Sequence, residues 1–336
     1  MRVFLIKKNS LRRLIAKLVV LLGTGLVTLL IAEFCVRLLL PTYRPSRQFE
    51  MEIQLEGFPL GPKNASVRQA TPKGDFDLMI EFGPAGFRDR RDLRTSPPGA
   101  LFALGDSFTF GYGVEEKDRF SSRLESALGE PIYNVALPEN FIGYQRFQRY
   151  AESLGARMGR LVVGVCMEND IRDYRDGKSS ADLAGRAGGL RRWLQTHSAL
   201  YLFLSQSIQS NGLLRSIAEK TGASNANTDD VPKNIYTEQM LATCRDELLK
   251  ALVGREAIVL IIPSRALWKG GNEATERKVQ ERFIALVRDA GIKVVDPTPR
   301  FEEHGKPLDY YFTTDPHWTP EGHRIAAEEL IKEMRR

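Results

Sequence analysis

Three short segments hold residue types suited to acyl transfer. Gly105-Asp106-Ser107 follows one apolar run, Glu168-Asn169-Asp170 follows another, and Asp315-Pro316-His317-Trp318 precedes the last amphipathic stretch. A serine hydroxyl is a weak nucleophile at neutral pH and needs a base to take its proton. His317 can be that base, and Asp315, two residues earlier, can fix its tautomer and orientation. A serine at a strand end can stand exposed while its own N–H points at a bound oxyanion, and the Asn169 amide can donate to the same oxygen. Each segment also has a plainer reading. Serines cap helices, Asn-Asp pairs fill turns, and an isolated Asp-x-His carries little by itself. What raises the set is placement, one segment at the end of each of several buried strands.

Those strands are read from periodicity. Apolar runs at 100–105, 131–137, 161–167, 257–263 and 292–297 alternate with helical patterns at 118–128, 142–155, 236–254, 275–291 and from Pro320 to the end. Strand–helix alternation of this kind implies right-handed crossovers and a parallel sheet covered on both faces. The near-continuous apolar strands agree. Ligands in such sheets bind beyond the carboxyl ends of the strands, where Ser107, Asn169 and His317 fall. The rhythm breaks over 171–235. Within this insertion, 190–208 reads as an amphipathic helix, either a lid or wall over the strand ends or a satellite packed on the domain.

Several function classes are disfavoured by composition. The net charge of +6 is carried by Arg2, Lys7, Lys8, Arg12, Arg13 and Lys17, with no acid among the first seventeen residues. The rest of the chain is balanced, so no basic groove for nucleic acid is expected. Three cysteines suit neither a disulfide scaffold nor a four-cysteine zinc site, and Cys35, Cys166 and Cys244 read as small hydrophobes. Residues 14–36 form an apolar stretch of spanning length. No small-residue cleavage site follows it, so an uncleaved signal anchor is expected over a cleaved signal peptide. The basic tail, 1–13, then lies in the cytoplasm and residues 41–336 outside, in the periplasm or its equivalent. Residues 37–97, rich in Pro and Gly, read as a linker and an irregular or short-stranded lead-in. The domain proper is expected over 98–336.

The segment LFALGDSFTFGYGV (101–114) resembles the first block of the SGNH, or GDSL-type, hydrolases, with Ser107 in the nucleophile's place. NVALPENFIGYQ (134–145) is similar to the second block. VVGVCMENDI (162–171) is similar to the third, with Asn169 at the oxyanion position, and TTDPHWTPEGHRIAAEEL (313–330) to the last, with His317 as base and Asp315 as its partner. The resemblance covers about residues 86–336. It implies a flavodoxin-like three-layer α/β/α fold and ester hydrolysis or acyl transfer with no metal or organic cofactor. Two departures stand out. Where the second block usually has Gly, five residues after Asn134, this chain has Glu139, and the nearest glycine, Gly143, comes late. A second-loop oxyanion donor is therefore expected from a backbone N–H at Glu139, Asn140 or Gly143. The last block commonly reads Asp-x-x-His. Here it is Asp-x-His, as in polysaccharide acetylation proteins, with Asp309 as the fallback carboxylate.

The expected function is that of a membrane-anchored serine esterase acting on O-acyl, and by analogy O-acetyl, esters of extracytoplasmic carbohydrate. The alternatives are an O-acyltransferase with the same triad, needing a multi-span partner to supply the acyl donor, or a non-catalytic glycan-binding or assembly subunit. Of the remaining polar residues, Asp106 and Asp170 are expected to organise their loops, and Asn134 to tie the second loop to the first. Trp318 is expected against the sheet end, His323 in helix-surface packing, and His197 and His304 at the surface or in a lid.

Overall fold

The computed structural model describes residues 2–40, 43, 52–54, 58–71, 74–172, 193–194, 197–210 and 236–336. The chain divides into two units. One comprises residues 1–45 and 190–223, the other 46–189 and 224–336.

The described residues of the first unit are mostly helical. Its α1 runs Arg2–Leu39, longer than the segment expected at 14–36. Within it, Ile15–Leu39 is a 25-residue stretch whose apolar 18-residue window has mean hydropathy 2.3, long and apolar enough to cross a bilayer.

The second unit opens with two antiparallel strand pairs. The first pairs β1 (Glu52–Gln54) with β2 (Phe58–Leu60), and the second pairs β3 (Ala65–Ala70) with β4 (Asp77–Phe82). Next come β5 (Leu101–Leu104), the one-turn α2 (Ser107–Phe110), α3 (Phe120–Leu128), β6 (Ile132–Asn134), α4 (Phe141–Ser153) and β7 (Arg160–Cys166). A π-turn, Met167–Arg172, follows β7. The insertion contributes α5 (Ala199–Ser210) to the first unit. Of the helix expected at 190–208, its C-terminal part coincides with α5, while 190–192 and 195–196 lie outside the described residues, as do 173–189 and 211–235. The second unit resumes with α6 (Glu238–Leu252), β8 (Glu256–Ile262), α7 (Glu273–Asp289), β9 (Lys293–Val295), α8 (Thr298–Glu302) and α9 (Pro320–Met334).

Five strands make one parallel sheet in the order β6-β5-β7-β8-β9. Along β5 the side chains alternate between two cores, as the two-residue period of a strand requires. Phe102 and Leu104 face a cluster with Tyr144 and Phe147 of α4, Leu248 of α6 and Phe283 of α7. Leu101 and Ala103 face Phe120 and Leu124 of α3, Ile325 and Leu330 of α9, and Trp318. The result is a three-layer α/β/α arrangement, as expected. The lead-in belongs to this body, because Leu60, Ile80, Phe82, Phe87 and Leu93 are buried in the first cluster.

His323 departs from the expected surface packing. It lies inside α9 and is fully buried between Phe120 and Trp318. Its Nδ1 accepts from the Phe120 N–H at 3.3 Å, one of the first-turn donors of α3 that no helical carbonyl can reach. His304 is exposed and Trp318 is fully buried, as expected. In the helical unit His197 is exposed. Cys166 and Cys244 are buried free thiols, and burial pushes the Cys244 thiol up to about 12.

Candidate active site

The site begins where β5 stops. Gly105 has φ +155°, and a Cβ there would come within 2.2 Å of Thr109 Oγ1 and 2.9 Å of the Gly164 carbonyl oxygen. Gly164 on β7 is equally constrained, since its Cβ would lie 2.1 Å from the same hydroxyl. Two glycines thus let the turn after β5 lie flat against the neighbouring strand. Asp106 caps the turn, its Oδ1 accepting from the Phe108 N–H at 2.9 Å. Ser107 is therefore the first residue of α2, and its N–H falls outside the helical ladder, in the position suited to an anion.

His317 arrives from the far end of the sequence. Its loop is closed by a bridge between Tyr311 and Trp318 and by hydrogen bonds from Phe312 N–H to the His317 carbonyl (2.9 Å) and from Thr319 N–H to the Tyr310 carbonyl (2.9 Å). The Tyr311 hydroxyl donates to the Pro263 carbonyl at 2.7 Å, fastening the loop beyond the end of β8. The Asp-x-His spacing has a local cause. Asp315 Oδ1 accepts the His317 backbone N–H at 3.0 Å in an Asx turn. The same oxygen then meets His317 Nδ1 at 2.6 Å, and Nε2 lies 2.7 Å from Ser107 Oγ.

The protonation pattern follows from the carboxylate. Burial works to raise the Asp315 pKa, but the His317 charge, the two hydrogen bonds from His317 and the nearby Arg265 outweigh it, so the carboxyl is held below its ordinary value. An ionised carboxylate only accepts, so Nδ1 carries the ring proton. Nε2 is then the acceptor facing the serine hydroxyl. The ring is also held by stacking. Tyr112 lies 4.4 Å away at 27° and Phe108 4.8 Å away at 44°. The buried Tyr112 hydroxyl is pushed well above its ordinary pKa, first by burial and then by the Asp315 charge, so it stays neutral.

The other expected site residues take several positions. Asn169 lies in the π-turn after β7 and its side chain is outside the described residues. Asp170 organises that turn, its Oδ2 accepting from the Cys166 N–H and the Tyr144 hydroxyl, both at 2.8 Å. Asn134 ties the first two loops together, donating to the Thr109 carbonyl at 2.7 Å and to Ser121 Oγ at 3.2 Å. Asn140 is the N-cap of α4, and Gly143 falls in its first turn. Glu139 is buried, with its carboxylate against the Asn140 N–H at 3.3 Å and its side chain over Gly143. Its carboxyl group thus sits at the N-terminal end of α4. Asp309 lines a cavity of about 550 Å³ beside the His317 loop, together with Asp75, Arg265, Lys269, Phe312 and Thr313. Asp315, and not Asp309, is the carboxylate on the imidazole.

Sequence reasoning missed the supporting groups supplied by the lead-in. Arg88 is fully buried and its guanidinium donates to the carbonyls of Gly111 (2.5 Å) and Val114 (2.7 Å), in the loop that follows α2. Burial, then the charge of Arg119, lowers its pKa to about 9, which still leaves it cationic at neutral pH. Gln69 accepts from the Gly113 N–H at 2.8 Å. Asp75 accepts from the Thr314 N–H at 3.0 Å and from the Thr314 hydroxyl. Phe76 packs on Tyr112 and Phe312. No pattern in residues 58–97 marks these contacts in advance, except that Arg88 stands in an otherwise ordinary run between two apolar positions, Phe87 and Leu93.

At one edge of the parallel sheet a hydroxyl, an imidazole and a carboxylate stand in one hydrogen-bonded line, the order of groups that a serine hydrolase uses. Residues 222–336, about a third of the chain, match the family model described as SGNH hydrolase-like domain, acetyltransferase AlgX. The match contains Asp315 and His317 and stops short of Ser107. The match makes residues 222–336 similar to an SGNH hydrolase-like domain, and the parallel sheet with flanking helices agrees with such a fold. A comparison with curated proteins finds no match.

Among solved structures, a G-D-S-L family lipolytic protein from Veillonella parvula is similar at 13% identity and a TM-score of 0.41, over 70% of this chain and 98% of that one. A lipase/acylhydrolase from Enterococcus faecalis is similar at 10% identity and 0.40, over 70% and 95%. A carbohydrate esterase family 2 enzyme from Corynascus thermopiles is similar at 12% identity and 0.39, over 71% and 66%.

Proposed function

We propose that the protein is a membrane-anchored serine esterase that cleaves O-acyl esters, O-acetyl foremost, of extracytoplasmic carbohydrate. The observation that carries this reading is the continuous line from Ser107 Oγ through His317 to Asp315, at 2.7 and 2.6 Å. Ser107 Oγ attacks the ester carbonyl carbon as His317 Nε2 takes the hydroxyl proton. The oxyanion is received by the Ser107 N–H, the Asn169 amide and an N–H of the second loop, at Glu139 or Gly143. Collapse of the tetrahedral intermediate breaks the ester C–O bond, and the departing alcohol takes the proton back from Nε2. Water then attacks the acyl carbon while giving a proton to the same imidazole; the acyl–Oγ bond breaks, Ser107 Oγ takes that proton back, and the acid leaves. No metal or organic cofactor enters these steps.

Anchoring rests on Ile15–Leu39, and the orientation on the six cations that precede Leu18. The polar cavity beside the His317 loop suits the hydroxyls of a sugar. A second reading is favoured by the family description, which names an acetyltransferase. A sugar hydroxyl would then replace water in the second step, and a multi-span partner would supply the acyl donor.

A fluorophosphonate probe should label Ser107 in the full chain, and Ser107→Ala should abolish labelling and lower esterase turnover on the order of 10⁴–10⁶-fold. Wild-type protein that is folded yet unlabelled would leave only a binding or assembly subunit. Mass spectrometry of the surface polymer separates the two catalytic readings. Extra acetyl groups in a deletion strain mean an esterase, and missing ones a transferase.

A further inference from the structure

We propose that α5, inside the 171–235 insertion, is an interfacial helix that lies on the lipid surface, held there by Glu33 of the spanning helix. The inference rests on the anchoring part of the reading above and is independent of the chemistry at Ser107.

Glu33 sits on α1 within the apolar stretch, six residues before its outer end at Leu39, or about 9 Å along the axis. A carboxylate at that depth is costly unless its oxygens are filled. Here they are filled. Oε1 accepts from Arg37 Nε (2.6 Å) and the Ala199 N–H (2.9 Å). Oε2 accepts from the Ser198 hydroxyl (2.8 Å) and the Leu200 N–H (2.9 Å). Two of these donors are first-turn N–H groups of α5, which its own carbonyls cannot reach. Arg37 closes the junction by donating to the His197 carbonyl at 2.5 Å. Val36 is the buried residue of the stretch, whereas its other large apolar side chains are mostly exposed.

The start of α5 is thereby fixed about 9 Å inside the end of the span, the depth at which amphipathic helices lie in the headgroup–acyl boundary. Its composition fits that place. The twelve residues Ala199–Ser210 contain no charge. Leu204 is 48% exposed, and Trp193, just upstream, is 55% exposed. Phe203 packs edge-on against Tyr43, beyond the end of the span. An uncharged helix with Leu204 exposed and Leu200, Leu202, Phe203 and Ile208 only partly covered is a poor water-facing surface. Its attachment at membrane depth makes lipid the occupant that covers it, with Trp193, Tyr43 and Tyr201 in the aromatic belt.

The test places a nitroxide at Leu204→Cys in the full-length protein carrying Cys35→Ser, with Cys166 and Cys244 left as buried thiols. The chain is reconstituted in nanodiscs of phosphatidylcholine and phosphatidylglycerol. Collision of the label with oxygen and with a water-soluble nickel chelate is compared with labels at Leu22→Cys in mid-span and Val253→Cys, an exposed position of the other unit. The expected result is an oxygen-to-nickel ratio at Leu204 several-fold above that at Val253, falling toward the Val253 value when Glu33→Ala is added. A Leu204 label as open to nickel as Val253, one shielded from both reagents by protein, or one unmoved by Glu33→Ala would overturn the proposal. If the Leu22 label also reports water, the anchor itself is wrong. If Leu22 reports lipid while Leu204 does not, only the placement of α5 fails.

Discussion

Asp315→Asn separates the charge of the carboxylate from its geometry. In the native site one oxygen, Oδ1, holds both the His317 backbone N–H and the ring Nδ1. An asparagine can keep that Asx turn with its carbonyl oxygen, so the loop closed by the Tyr311–Trp318 bridge should survive. What disappears is the negative charge facing the imidazolium that forms during attack. With the charge centres about 4 Å apart and an effective dielectric near 20, the pair is worth about 4 kcal/mol. That corresponds to roughly 10³ in rate. If the amide instead turns its NH₂ toward the ring, Nδ1 must accept, Nε2 carries the proton, and the base is disabled. The loss then rises to about 10⁴. The assay is kcat/KM on p-nitrophenyl acetate alongside the rate of fluorophosphonate labelling at Ser107, and both should fall together. Labelling and turnover within about tenfold of wild type would refute the view that Asp315 stabilises the charged imidazole.

Two further perturbations address the frame around the site. Arg88→Met removes the donors to the Gly111 and Val114 carbonyls. At about 1–3 kcal/mol for each buried acceptor left unpaired, it should destabilise the protein by about 2–6 kcal/mol, read as a lower unfolding midpoint. A midpoint that does not move would show that the guanidinium is dispensable. His323 carries an acid-stability signature. Burial, with the charges of His317 and nearby arginines, lowers its pKa from 6.5 to about 3. The unfolded imidazole therefore takes a proton below about pH 6.5 while the folded one stays neutral, and stability should fall as pH drops through that window, by about 1.4 kcal/mol per unit. Urea unfolding of detergent-solubilised His323→Asn between pH 6.5 and 5 should show a shallower slope. An unchanged slope would assign the acid sensitivity elsewhere.

The parallel strands were legible because burial on both faces leaves an unbroken apolar run, and all five appear within a few residues of their expected bounds. The meeting of Ser107, Asp315 and His317 was legible for a related reason. Each lies beside a strong local signal, a Gly at the end of β5 or a Pro at the head of α9, so their places relative to the sheet could be inferred before their contacts. His323 shows the limit of such signals. A polar residue on a helix reads as surface, and nothing local reveals that an N–H of α3, about two hundred residues earlier, needs its lone pair.

The lead-in marks the same limit more broadly. Its strand β4 alternates, but β3 places Ala65, Val67 and the polar Gln69 on the inward side, so the pair does not announce a hairpin. Yet through Gln69, Asp75, Phe76 and Arg88 it touches both loops that must meet for Ser107 to reach His317. The two loops come from chain segments 210 residues apart, and a sheet alone fixes only where each begins. Holding an oxygen and a nitrogen at hydrogen-bond distance takes a third element bound to both. The hairpin meets that need at the Gly113 N–H on one side and the Thr314 N–H on the other. Residues remote from any recognisable motif should therefore govern the precision of this site as much as the motif residues govern its chemistry.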